Sequence, residues 1–128
     1  MMLSALVQEL GNELETTLPQ DMPGVFTLPL EEGVTMTISS PARGGIYLHS
    51  NVGAVAKGQE EILYTQALLG NLFGQGTKDA VLGLNENGSL LTLSRLIEYD
   101  IDFKEFRDMV EDFINTVDFW REELNKVR

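Results

Sequence analysis

The residues of this chain that could do chemistry are few. His49 is its single histidine, and it precedes Ser50 and Asn51. Nucleophilic catalysis would need a nucleophile, a base and an orienting acid that converge on one point, and no motif around His49 supplies such a set. The sequence therefore predicts a surface or hydrogen-bonded histidine, and it assigns no catalytic residue.

Metal and phosphate sites are not predicted either. With zero cysteines, the chain cannot build a thiolate metal site or a disulfide, a composition that fits a cytosolic protein. Its paired glutamates are neighbours in sequence, so their carboxylates point to different sides of a helix or strand. The glycine-rich residues 70–76 follow a helix and lack the Gly-Lys-Ser/Thr ending of a phosphate-binding loop. We therefore expect no cofactor and no metal ion.

The charge of the chain narrows the class of partner. Among 128 residues, 20 are acidic and 9 are basic, which gives a formal net charge of -11. A surface this acidic disfavours nucleic acid and anionic membranes as ligands. The hydrophobic content of 43% favours a single folded domain over residues 1–128. The chain has no apolar run of about 18 residues, so no membrane insertion is expected.

Hydrophobic periodicity predicts helices and strands in alternating blocks. Apolar stripes mark the helices, and strict alternation marks the strands. In chain order the predicted elements are helix 3–18, strands 24–30, 33–39 and 45–50, helix 62–73, strands 79–84 and 89–97, and a helix that begins after the N-cap residue Asp102. The order helix, three strands, helix, two strands, helix predicts an α+β fold in which helices flank an antiparallel sheet.

The helix predicted over residues 62–73 has more apolar surface than one small domain can cover. Its apolar side chains lie on nearly every side, and they are Leu63, Tyr64, Ala67, Leu68, Leu69, Leu72 and Phe73. A helix of this length cannot cross a membrane, so protein must cover both of its sides. One side can pack on the sheet of its own domain, and the other side needs a second partner.

The second half of the chain resembles a known family. The segments that carry the resemblance are LLGNLFGQGT, AVLGLNENGSLLTLSRLIEYDIDFKEF and MVEDFINTVDFWREEL. Within them the telling positions are Leu68, Leu69, Asn71, Leu82-Gly83-Leu84, Leu91-Thr92-Leu93 and Trp120. Together they resemble the class I type III secretion chaperones of the Tir-chaperone (CesT-like) family. The predicted order of helices and strands is also the order of that family.

The resemblance implies a small, acidic, cytoplasmic homodimer without enzymatic activity. Its partners would be one or more secreted effector proteins, and neither nucleic acid nor membrane. Such a chaperone binds the chaperone-binding segment near the amino terminus of an effector and keeps it soluble and competent for export. The segment winds around the dimer over apolar patches and can add a strand to a sheet edge.

The resemblance also implies two surfaces. The central helix and the strand after it are expected to form the dimer interface, with Leu63, Ala67, Leu68, Leu72, Val81, Leu82 and Leu84 as its residues. The first helix and the first strand are expected to bind the effector, with Leu3, Leu6, Val7, Leu10, Val25, Phe26 and Leu28 as contacts. Pro29 cannot donate to a strand ladder, so strand 24–30 is predicted to lie at an edge of the sheet.

Two other functions stay open at the level of the sequence. A chaperone-fold regulator would sequester another secretion component or a transcriptional activator instead of an effector. A small α+β enzyme or ligand-binding domain would have to be built around the loop of His49, and the lack of convergent groups there argues against it.

Overall fold

The computed structural model describes residues 2–31, 33–41, 44–73 and 79–126, and it confirms the predicted order of elements with one short strand added. The side chains of Asp21, Leu72 and Phe73 lie outside the description. In chain order the elements are α1 (Leu3–Glu13), β1 (Gln20–Met22), β2 (Val25–Glu31), β3 (Val34–Ser39), β4 (Ile46–Ala54), α2 (Glu60–Phe73), β5 (Val81–Leu84), β6 (Leu90–Ile97) and α3 (Phe103–Lys126).

Helix α1 ends earlier than its apolar stripe predicts. The amide of Thr16 donates to the carbonyl of Gly11, and the amide of Glu15 donates to the carbonyl of Asn12. These two bonds form a Schellman motif, and Glu15 takes the left-handed conformation that it requires, with φ 56°. The chain therefore leaves the helix before Leu18, although the Leu18 side chain still packs in the core.

All six strands form one antiparallel sheet in the order β1-β2-β3-β4-β6-β5. In β3, β4 and β6 alternate residues are buried on the face that packs against the helices. Met36, Ile38, Leu48 and Leu93 are fully buried there. The order places β2 and its short partner β1 at one edge of the sheet, and β5 at the opposite edge.

Helix α3 is the long element that covers the sheet. Its start is a capping box, as predicted: the amide of Glu105 donates to Oδ1 of Asp102, and the amide of Asp102 donates to Oε1 of Glu105. One stripe of the helix is buried, and its residues are Phe106, Val110, Phe113, Thr116, Val117, Trp120 and Leu124. This stripe supplies much of the core of the domain.

The carboxyl-terminal half of α3 is held closely against β4. The Nη1 group of Arg121 donates to the carbonyl oxygen of Val52 at 2.8 Å. Next to Val52, a Cβ atom on Gly53 would lie 2.9 Å from Cδ1 of Leu124. Glycine leaves room for the Leu124 side chain, which would have to shift if residue 53 carried a Cβ atom. The register of β4 also shifts between Asn51 and Gly53, so the strand bends at the contact.

Helix α2 packs against α3 through another glycine. A Cβ atom on Gly70 would lie 2.8 Å from Cζ2 of Trp120, and 3.7 Å from Cδ1 of Leu82. Trp120 is buried, so its ring cannot move aside without disturbing the core. The contact sets the distance between α2 and the rest of the domain.

We expect Gly70→Ala to destabilise the protein, although alanine normally favours a helix by about 1 kcal/mol over glycine. Overpacking against a buried ring costs about 1–3 kcal/mol, so the free energy of unfolding should fall by about 1–2 kcal/mol. Urea denaturation at one fixed protein concentration measures the change. The control is Glu111→Ala at an exposed position of α3, outside the contact, which should change stability little. An increase in stability for Gly70→Ala would contradict the contact with Trp120.

Candidate functional site

The outward side of α2 is apolar and uncovered within the chain. Leu68 is 70% exposed, and Ile62 and Leu69 are each 51% exposed. Leu63, on the inward side of the same helix, is fully buried. Exposed aliphatic side chains of this size are common singly, but a contiguous group on one helix marks an interaction surface.

Strand β5 continues this apolar patch. Val81 and Leu84 are exposed large hydrophobic residues of the edge strand. Between α2 and β5 lies an open groove of about 270 Å³, which Tyr64, Ala67 and Leu68 line from the helix. We call the exposed residues of α2 and of the β5 face that lines this groove the α2–β5 surface; they are Ile62, Leu68, Leu69 and Leu84. Val81 is also exposed, but it lies on the other face of β5 by alternation.

A side-chain amide joins the two elements of this surface. Oδ1 of Asn71 accepts a hydrogen bond from the amide of Leu82 at 2.8 Å, and Nδ2 of Asn71 donates to the carbonyl oxygen of Leu82 at 2.9 Å. Asn71 therefore occupies the outer edge of β5, on the side opposite β6.

A larger depression of about 770 Å³ lies between the start of α1 and one end of the sheet. The start of α1 and strand β2 line it through Met2, Leu3 and Phe26, and the segment after β6 adds Tyr99 and Ile101. We call these residues the α1–β2 surface. Phe26 also lines a second depression of about 380 Å³ between α1 and β2, so it stands between the two.

The edge of β2 is only partly covered. Strand β1 pairs with β2 at Val25 and Phe26 alone, and the amide of Thr27 donates outward to the carbonyl oxygen of Pro19 at 2.9 Å. Because backbone groups of a strand alternate in direction, Pro29 presents the same edge as Thr27. Proline has no N–H, so this edge has acceptors but lacks a donor at Pro29. Strand 24–30 is therefore an edge strand, as predicted, at the residues after Phe26, where β1 does not pair with it.

His49 lies on the face of the sheet that points away from the helices, because its neighbours Leu48 and Ser50 are buried on the helix side. Its Nδ1 is 3.4 Å from Oη of Tyr47, and the two rings are stacked with centroids 5.9 Å apart. Nothing in the described part of the chain forms a group of three or more acidic and histidine side chains that could hold a metal ion. Among the described helices, none is long and apolar enough to cross a membrane.

Comparison with known proteins places this chain in a family. The model of the Tir chaperone protein (CesT) family matches residues 5–121. The chain belongs to that family. A Chlamydia pneumoniae protein is 30% identical to it over 126 residues, which is 96% of each chain.

Solved structures share the fold of this CesT-family chain. A chain in the crystal structure of the ExsC–ExsE complex superposes with a TM-score of 0.72 at 19% identity, with 97% of both chains covered. A chain in the structure of the HopA1–SchA chaperone–effector complex gives 0.70 at 19% identity, with 93% of this chain and 92% of that chain covered. The resemblance to type III secretion chaperones, predicted from the sequence, is confirmed.

The residues predicted for the dimer interface of this CesT-family chain differ in their exposure. Leu68, Val81 and Leu84 are exposed. Ala67 is half-buried in the groove, whereas Leu63 and Leu82 are buried in their own chain and support the surface from beneath. The side chain of Leu72 lies outside the described residues.

The residues predicted for effector binding are mostly internal. Leu6, Val7, Leu10 and Leu28 are buried in the core, and Leu3, Val25 and Phe26 are half-buried. Of those three, only Leu3 and Phe26 line the depressions, because Val25 lies on the other face of β2 by alternation.

Sequence reasoning missed four exposed apolar residues on the two surfaces: Met2, Ile62, Leu69 and Tyr99. The uniform apolar character of α2 indicated that some of its side chains would be exposed, but it could not tell which side packs inward. For Met2 and Tyr99, which come from separate elements, the sequence contained no signal.

We expect Leu6→Asp to destabilise the fold, and not to act on a binding surface. Leu6 is 0% exposed, so the substitution buries a charge without a partner, which should lower the free energy of unfolding by about 4 kcal/mol or more. Urea denaturation measures the loss. Ser4→Asp is the matched control, since Ser4 is exposed in the first turn of α1 and a negative charge is favourable there. Equal stability for Leu6→Asp and the wild type would show that Leu6 is not a core residue.

Proposed function

We propose that this protein is a cytoplasmic homodimeric chaperone that binds the chaperone-binding segment of a secreted effector and keeps it competent for export. The observation that carries the proposal is the presence of two separate surfaces with exposed apolar groups, one along α2 and β5 and the other between α1, β2 and one end of the sheet, on a chain whose core is already closed. The HopA1–SchA structure, which shares the fold, is a chaperone–effector complex. The chain acts by binding alone and catalyses no reaction.

The α2–β5 surface is the proposed dimer interface. A helix that is buried on one side and apolar on the other is satisfied when a twofold-related copy covers it. The groove beside Leu68 supports this assignment, because a self-complementary interface needs a protruding apolar side chain and a recess on the same surface. Leu63 and Leu82 are buried beneath this surface and would contribute by packing against the residues that form it. Leu72 remains a predicted interface residue.

The α1–β2 surface is the proposed effector site. Its depressions expose parts of Phe26, Leu3 and Ile101 next to polar groups, a mixture that suits an extended segment with apolar anchors. The edge of β2 beyond Thr27 can accept a strand from such a segment, except at the missing donor of Pro29. The net charge of -11 keeps a protein with two apolar surfaces in solution.

We expect Leu68→Asp to convert the dimer into a folded monomer. Leu68 is 70% exposed in the single chain, so a charge there costs the fold little. In a twofold interface the residue occurs twice, and the dissociation constant should rise by at least about 30-fold, as for a central interface residue. Sedimentation equilibrium at micromolar concentration checks this against the monomer mass of 14.2 kDa.

Leu14→Asp serves as the control for this prediction, because Leu14 is also exposed but lies at the end of α1. It should leave the dimer intact. A wild-type protein that sediments as a monomer would refute the proposed dimer. A Leu68→Asp dimer of unchanged strength would remove the α2–β5 surface from the interface.

We expect Phe26→Ala to reduce binding of the effector, because the Phe26 side chain separates and lines both depressions of the α1–β2 surface. The tagged chain is purified from its native host, and co-purified proteins are identified by mass spectrometry. The expected partner is a secreted protein, and a segment near its amino terminus should resist limited proteolysis in the complex. Its recovery should fall by about tenfold or more with Phe26→Ala, as for an aromatic anchor.

Leu14→Ala provides the comparison, since it removes an exposed apolar side chain outside the depressions. It should recover as much partner as the wild type, and circular dichroism should show that both variants are folded. Undiminished recovery with Phe26→Ala would remove the α1–β2 surface from the effector site. Recovery of a transcriptional activator or another non-exported protein would favour the regulator over the effector chaperone.

A further inference from the structure

At Leu82 the outer edge of β5 is occupied by a side chain. β6 pairs with β5 on its inner side, and the outward amide and carbonyl of Leu82 both bond to Asn71. A primary carboxamide carries the same donor and acceptor as a peptide group. The Asn71 side chain therefore takes the place that one peptide unit of an additional strand would have.

Paired hydrogen bonds of this kind constrain direction as well as distance. With bonds of 2.8 and 2.9 Å to one residue, the carboxamide plane must align with the edge of β5, which fixes the rotation of α2 about its own axis at Asn71. One residue before, Gly70 packs against the ring of Trp120, which fixes how closely the helix approaches the core. Together the two contacts determine which residues of α2 face outward.

The α2–β5 surface depends on that rotation. At about 100° of rotation per residue, Leu68 lies about 60° from Asn71 around the helix, so it is held next to the edge strand. Both residues line the groove along with Leu82 and Leu84. A helix free to turn by one residue would move Leu68 away from the groove and destroy the match between the two halves of the surface.

We propose that Asn71 is the positioning residue of the dimer interface: by pairing with the backbone of Leu82, it fixes α2 on the edge of β5 in the one orientation that a second copy of the chain recognises. This role rests on the proposed function, because it requires that the α2–β5 surface be the interface. It also occupies the β5 edge at Leu82, which disfavours addition of an effector strand at that edge.

The test is Asn71→Leu, which separates positioning from apolar contact. Leucine has nearly the same shape, favours the helix, and would enlarge the apolar lining of the groove. If apolar area alone held the dimer, its dissociation constant would stay the same or fall. If Asn71 positions α2, the loss of both hydrogen bonds should raise the dissociation constant by about tenfold or more. Sedimentation equilibrium measures the change, and Asn115→Leu at an exposed position of α3 should leave it unaltered.

Hydrogen exchange of the Leu82 amide provides a second measurement that does not depend on the fold of that variant. In the monomeric Leu68→Asp protein this amide should stay protected, because its acceptor lies in the same chain. Asn71→Ala, which removes this acceptor, should speed the exchange by about tenfold or more.

The outcomes of these experiments are distinct. Rapid exchange of Leu82 in the Leu68→Asp monomer, or an unchanged or tighter dimer for Asn71→Leu, would overturn the role of Asn71. A wild-type monomer whose Leu82 amide is protected would refute the proposed dimer while leaving the pairing of Asn71 and Leu82 in place.

Discussion

The contact on which the rest of the structure depends is the one between Trp120, Gly70 and Leu82. Gly70 of α2 lies against the buried indole ring of Trp120 in α3 and against the Leu82 side chain of β5. A Cβ atom on Gly70 would be 2.8 Å from the ring. Because this contact uses the inward side of α2, the helix completes the core with Leu63 and leaves Ile62, Leu68 and Leu69 outside. The surplus of apolar surface on α2 is thus a direct consequence of how closely it approaches Trp120.

The order of strands then separates the two proposed surfaces. With β6 inserted next to β4, the strand β5 becomes one edge of the sheet, and β2 with the short β1 becomes the other. If a second copy covers the β5 edge, as proposed, the β2 side of the sheet stays accessible, so the two proposed surfaces use different residues. In a twofold dimer the effector surfaces would lie on the outer ends of the assembly, where one extended segment can pass from one to the other.

The two edges are protected against unwanted pairing by different means. At β5 the carboxamide of Asn71 satisfies the outward groups of Leu82. At β2 the three residues of β1 and the missing donor of Pro29 shorten the exposed edge without closing it. An edge that is partly open suits a protein that is proposed to accept a strand from one partner, while a fully open edge would invite pairing with any chain.

The sequence by itself determined the class of fold, the order of the predicted elements and the family. These depend on local periodicity, on caps such as Asp102 with Glu105, and on motifs in the second half of the chain. It did not show the end of α1 at Glu13, because the Schellman motif there places a glutamate, and no glycine, in the left-handed conformation. It did not show β1, because three residues without alternation carry no periodic signal.

Only the tertiary structure decided which apolar residues are surface and which are core. Leu6, Leu10 and Leu28 fit a binding stripe as well as a core stripe in the sequence, since both require the same spacing. Their burial depends on α1 packing against the core, which periodicity cannot specify. Likewise, the sequence showed that α2 is apolar on nearly every side. Which side is exposed depends on the packing of Gly70 against Trp120, which turns the opposite side of the helix outward.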